Sequence, residues 1–129
     1  MKKYVTFCIV NSFGALSIGL FIYLAFRGNT FLNVLFQANA LLGEARLAFY
    51  IPDFLWGYAL CFSLSIFCKS HYAGIISIFF GITLELLQNF KIIKGTFDYI
   101  DILMYITANI IAVLIIILFN RREKNDSIH

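Results

Sequence analysis

Charge is scarce in this chain, and so is anything that breaks a helix. Lysine and arginine number ten and aspartate and glutamate seven in 129 residues, 13% in all, about half the ~25% of an average soluble protein. There is one proline, so long stretches are free of the residue that most strongly interrupts a helix. Cys8, Cys61 and Cys68 make no even-numbered framework and have neither CxxC nor Cys/His spacing, which argues against a disulfide scaffold or a zinc site. All three fall inside apolar runs and read as packing residues. GxSxG, HExxH, phosphate-binding glycine loops and EF-hand loops are missing as well, so no nucleophile, metal or cofactor is expected. The net charge of +3 is scattered between apolar runs, not gathered into the patch that nucleic acid requires.

What the chain does have is apolar length. It is 61% hydrophobic with a mean hydropathy of +0.86, more apolar surface than water solvates, and an all-α integral membrane bundle of about four transmembrane helices follows. Residues 4–26 carry no charge, and a helix of that length reaches about 34 Å, enough for a hydrocarbon core of roughly 30 Å. Met1-Lys2-Lys3 resembles the start of a signal peptide, but the run is too long and ends in Leu24-Ala25-Phe26-Arg27, so an uncleaved first span is expected. Residues 27–50 are a polar connection, in which Asn29 or Thr30 caps a short interfacial or re-entrant helix with Phe31, Leu35, Ala38 and Leu42 on one side, ended by Gly43. Further spans are expected at 51–68, with Pro52 in the first turn, at 72–90, and at 101–120. A solvated tail, 121–129, follows.

Four spans put both ends on one side. That side carries Lys2, Lys3, Lys69, Arg121, Arg122 and Lys124, against Arg27, Arg46, Lys91 and Lys94 opposite, which favours cytoplasmic termini. His71 and His129 lie on the same side and read as solvated. Five of the seven acids, Glu44, Asp53, Glu85, Asp98 and Asp101, fall on or near the other side.

Helices in lipid associate through close backbone approach and a few hydrogen bonds, which places small and weakly polar residues at contacts. Each span has such a stripe at steps of three or four: Cys8, Ser12, Ala15 and Gly19; Asp53, Gly57, Cys61 and Ser65; Gly74, Ser77, Gly81, Glu85 and Gln88; Asp101, Tyr105, Ala108 and Ala112, with Asn109 beside them. Most of these are expected to be packing. A carboxylate within the membrane is different, because it costs roughly 2.5 to 3.5 kcal/mol unless compensated. Glu85 and Gln88 share a face, Asp98 and Asp101 repeat that spacing at the next helix, and Asp53 begins a third at the same level. Together they predict an outward-facing acidic pocket, with Arg46 or Arg27 as the nearest cations. The structural alternatives are helix N-terminal acids for Asp98 and Asp101, an ion pair for Glu85, and an interfacial aromatic belt of Tyr50, Trp56, Tyr58 and Tyr99.

Glu85-Leu86-Leu87-Gln88, followed by Gly95-Thr96-Phe97-Asp98-Tyr99-Ile100-Asp101 and a small-residue helix, resembles the closing half of VanZ-like membrane proteins. Ile51-Pro52-Asp53-Phe54-Leu55-Trp56 is also similar to small members of that family. Many members have an arginine before the first aspartate and an asparagine four residues after the second. Here those places hold Gly95-Thr96-Phe97 and Tyr105, with Asn109 one turn later. The resemblance implies a small protein of the bacterial inner membrane, linked through its namesake to reduced susceptibility to the glycopeptide teicoplanin. It implies no established reaction.

The leading expectation is therefore a polytopic protein whose pocket, lined by Glu85, Gln88, Asp98, Asp101, Asp53 and Arg46, binds an envelope lipid or lipid-linked precursor through a polar or cationic group. The alternatives are a membrane enzyme with Glu85 as general base toward a lipid-linked substrate, and a structural subunit of a membrane complex.

Overall fold

In a bilayer every backbone N–H and C=O must find its partner inside the chain, and the apolar runs answer with helices. The computed structural model describes residues 2–26, 47–93 and 97–126. Among these there are four helices and no strand: α1 (Lys2–Phe26), α2 (Leu47–Leu64), α3 (Ser70–Asn89) and α4 (Tyr99–Asp126). Three stretches, Lys2–Ala25, Ser70–Asn89 and Tyr99–Asn125, are long and apolar enough to cross a membrane. The 18 residues of α2 span about 27 Å, slightly less than the hydrocarbon thickness.

The helices alternate in direction. Tyr4 near the start of α1 donates to the Ser65 carbonyl just past the end of α2, at 3.0 Å, while Gly19 near the end of α1 lies against Leu55 and Pro52 near the start of α2. Glu85 near the end of α3 meets Asp98 just before α4, and Lys3 of α1 reaches Glu123 of α4 at 3.9 Å. The start of α1, the end of α4 and the 65–69 turn therefore occupy one end of the bundle. Residues 90–93 and 97–98 and the start of α2 occupy the other. Helix α2 packs on all three of the others and α4 packs on α2 and α3, so α1 flanks a trio.

The packing is inverted relative to a water-soluble bundle. Phe13, Phe67, Phe79 and Leu118 are exposed, whereas Cys8, Ser12, Ala15, Ala59, Cys61, Ala73, Ser77, Ala108, Asn109 and Ala112 are buried. Small residues let the backbones approach, and the large apolar side chains point where lipid tails would solvate them. The apolar core of Cys8, Cys61, Phe62, Ala73, Ala112 and Ile116 fills the half nearer the termini. Hydrogen bonds lace α1 to α2: Ser12 donates to the Ala59 carbonyl at 3.0 Å and its hydroxyl lies 2.6 Å from that of Ser63, while Tyr58 donates to Asn11 at 3.1 Å. All three cysteines are free; Cys8 and Cys61 are buried in the bundle and Cys68 is half-buried.

Three details depart from the sequence reading. Helix α2 begins at Leu47, so Pro52 sits inside it instead of in its first turn. The helix ends at Leu64 and gives way to a turn in which the Ser65 hydroxyl donates to the Phe62 carbonyl at 2.8 Å, a side-chain competitor for the backbone ladder. Residues 121–126 are not a detached tail but the last turns of α4, because Arg121, Arg122, Glu123 and Lys124 are all good helix formers. The aromatic belt also divides: Trp56 and Tyr99 are exposed, whereas the hydroxyls of Tyr50 and Tyr58 bond inside the bundle to Asp98 and Asn11. The expected interfacial helix around 31–42, with Glu44 and Arg46, lies outside the described residues, as does His129.

Candidate functional site

The end of the bundle away from the termini is built on a tyrosine and two glycines. Tyr105, one turn into α4 from Asp101, lays its ring between α2 and α3. A Cβ at Gly81 would stand 2.7 Å from the ring's Cγ, and one at Gly57 would stand 2.9 Å from its Cδ1. Only hydrogen at both positions leaves the ring room. The ring in turn sets the spacing of three helix ends, and each end carries a carboxylate.

Glu85 is 2% exposed, with its Oε2 accepting the backbone N–H of Asp98 at 3.3 Å. Asp98 precedes the first residue of α4 and caps it: Oδ1 accepts the N–H of Ile100 at 2.9 Å, and Oδ2 accepts the hydroxyl of Tyr50 at 3.0 Å. This is the N-terminal capping role expected of an aspartate at that position. Asp53, half-buried on α2, lies within electrostatic range of the Tyr105 hydroxyl. Asp101, half-buried on α4, keeps Oδ1 shielded from solvent without a donor. Asp101 lies within electrostatic range of Asp53, Glu85 and Asp98, and Asp53 within range of Glu85.

The structure thus brings Asp53, Glu85, Asp98 and Asp101 together from α2, α3 and the head of α4. Gln88 is half-buried one turn beyond Glu85. Its backbone carbonyl takes the N–H of Lys91 at 2.9 Å, and no side-chain hydrogen bond ties it to the carboxylates among the described residues. Arg46 lies outside the described residues. Lys3 pairs with Glu123 at the opposite end of the bundle, away from these carboxylates. No three of the described His, Cys, Asp or Glu side chains stand close enough to ligate one metal ion.

Two participants were not singled out as site residues from the sequence: Tyr105, which spaces the carboxylates, and Tyr50, which holds Asp98. Paired glycines at 57 and 81 were the available signal for Tyr105, since each leaves a gap on a contact face. Nothing in the sequence signals Tyr50. Deeper in the bundle Asn109, 1% exposed, donates to the Tyr105 carbonyl at 2.7 Å and leaves its own Oδ1 without a partner, while Ser77 donates to the Gly57 carbonyl at 3.2 Å.

No family model matches the chain, and neither does a curated protein or a solved structure. The reading of the site rests on its own chemistry.

Proposed function

We propose that this chain is a membrane protein that binds a cationic group of an envelope lipid or lipid-linked precursor at the acidic end of its bundle. The observation that carries the reading is the convergence of Asp53, Glu85, Asp98 and Asp101 from three chain segments, with a shielded carboxylate oxygen of Asp101 lacking a donor. Carboxylates gathered in a low-dielectric setting attract positive charge more strongly than the same groups in water. Asp98 is committed to the cap and to Tyr50, so Asp101, Asp53 and Glu85 supply the attraction. Asp98 holds the site's shape.

In this proposal the chain lies in a bacterial inner membrane with both termini in the cytoplasm, and the acidic end faces outward. The similarity of Glu85-x-x-Gln88 and Asp98-x-x-Asp101 to VanZ-like proteins supports placing the function in the cell envelope, with a change in teicoplanin susceptibility as its readout. The contact between Glu85 and the head of α4 gives those two elements a physical reason to occur together. Native mass spectrometry of the purified protein tests the reading. A retained lipid bearing an amine, lost in the Glu85→Gln/Asp101→Asn variant together with any effect on teicoplanin susceptibility, is the expected result. A variant that folds, retains the same lipid and leaves susceptibility unchanged would overturn it.

A further inference from the structure

A second feature lies at the other end of the bundle, between α1 and α4. These helices do not pack along their lengths; they meet through aromatic rings, with Phe7 stacked on Phe119 at 4.0 Å between centroids and Tyr4 6.5 Å from Phe119. Above the stacked pair is an open crevice of about 580 Å³, lined by Lys2, Lys3, Thr6, Phe7, Phe119, Arg122 and Glu123. Its volume falls in the range of small-molecule sites, roughly 300 to 1,000 Å³. The walls divide by chemistry: two aromatic rings form the floor, and three cations and one carboxylate form the rim.

The carboxylate does not cancel the rim. Glu123 is already opposed by Lys3 at 3.9 Å, so Lys2 and Arg122 remain as excess positive charge. The rim also sits where the apolar runs of α1 and α4 give way to charged residues, the level of lipid headgroups if these helices cross a bilayer. Below it the same face of α1 continues through Val10 and Phe13, four and seven residues on from Thr6, and both are exposed, at 63% and 72%. An apolar track thus leads from the basic rim toward the middle of the bundle.

We infer that this crevice binds an anionic phospholipid, its phosphate held by Lys2, Lys3 and Arg122 and an acyl chain lying on Phe7, Val10 and Phe13. A zwitterionic lipid brings the same tails but no net charge to offset the rim, so the site discriminates by headgroup charge. Basic pockets between transmembrane helices recognise anionic headgroups in this way. The inference depends on the chain being in a bilayer but not on the acidic end binding anything.

The test is native mass spectrometry of the full chain purified with equal amounts of phosphatidylglycerol and phosphatidylcholine, reading the ratio of the two lipids retained. The wild type is expected to favour phosphatidylglycerol. Lys2→Gln/Lys3→Gln/Arg122→Gln should lower the ratio by at least about fivefold, the contribution of a single basic residue near an anionic surface. Glu123→Gln should raise it by removing the competing carboxylate, a gain that misfolding cannot mimic. Lys69→Gln/Arg121→Gln, on the same end of the bundle but outside the crevice, should leave it unchanged. A ratio unaffected by the triple substitution, one that falls equally in the control, or one that does not rise with Glu123→Gln would overturn the assignment.

Discussion

The ring of Tyr105 lies flat against Gly81, where an added methyl would come within 2.7 Å of Cγ and 2.9 Å of both Cδ atoms. This contact joins the helix that carries Glu85 to the helix that carries Asp101, one turn below both carboxylates. The shape of the acidic end therefore depends on a residue with no charge. Gly81→Ala is expected to cost about 1 to 3 kcal/mol through overpacking. Gly14→Ala, where nothing stands within 4 Å, should be neutral or stabilising by up to ~1 kcal/mol through helix propensity. Thermal unfolding of both variants in detergent checks the pair. Equal midpoints would remove Tyr105 from its role as spacer.

Glu85 serves a structural bond and a proposed binding function, and substitution separates them. Glu85→Leu removes the acceptor of the part-buried Asp98 N–H, a loss of about 1 kcal/mol, the low end of the cost of leaving a donor without its partner. Hydrogen exchange at the backbone amides of residues 97–101 should accelerate in that variant. Glu85→Gln keeps an acceptor oxygen, so exchange should stay near the wild-type rate while retention of a cationic lipid falls. If both variants lose protection alike, the charge of Glu85 belongs to the fold.

The turn after α3 contains the one non-glycine residue with positive φ among those described, Lys91 at 57°. Its N–H bonds the Gln88 carbonyl at 2.9 Å and the N–H of Ile92 bonds the Leu87 carbonyl at 3.0 Å, the paired closure of a Schellman motif that usually places glycine at the left-handed position. Lys91→Gly should stabilise the protein by about 1 kcal/mol, seen as a higher thermal midpoint, because the left-handed conformation costs a side-chain-bearing residue roughly that much. No change, or a lower midpoint, would mean the lysine side chain contributes more than its backbone strain.

Tyr50 anchors the cap of α4 through Asp98 at 3.0 Å. Tyr50→Phe should cost about 0.5 to 1.5 kcal/mol, the usual net worth of such a bond. Asp98→Asn, which keeps the capping oxygen, should cost less than Asp98→Ala. Chemical denaturation in mixed micelles ranks the three, and a larger loss for the asparagine variant would show that the charge at 98 matters more than the cap.

The contact faces were legible because close approach of helices selects small residues, and their spacing of three or four marks one side of a helix. Gly74, Ser77, Gly81 and Glu85 are all buried on α3. Cys8, Ser12 and Ala15 are buried on α1. The level shared by the acids was legible for the same reason, since alternating helices of similar length return to the same end. Helix ends were harder to read. Pro52 suggested a start at 51 that the backbone places four residues earlier, and the charges after Asn120 marked the end of the apolar run but not of the helix. The parts played by Tyr105 and Tyr50 could not be read from spacing, because each depends on a gap or a donor supplied by another segment. Lys2, Lys3 and Arg122 read from sequence only as topology signals; the fold makes them one rim by bringing the two chain ends together.

The proposed topology has the helices crossing a membrane and carrying the acids to the face away from the start of α1 and the end of α4. Labelling with a membrane-impermeant maleimide tests it directly, using single-cysteine variants Ile93→Cys and Asn125→Cys in a background with Cys8, Cys61 and Cys68 replaced by alanine. Both sites are exposed and lie at opposite ends of the bundle. That topology predicts labelling of Ile93→Cys in intact cells and of Asn125→Cys only after lysis. Labelling of both from the same side, or of Ile93→Cys only after lysis, would contradict it.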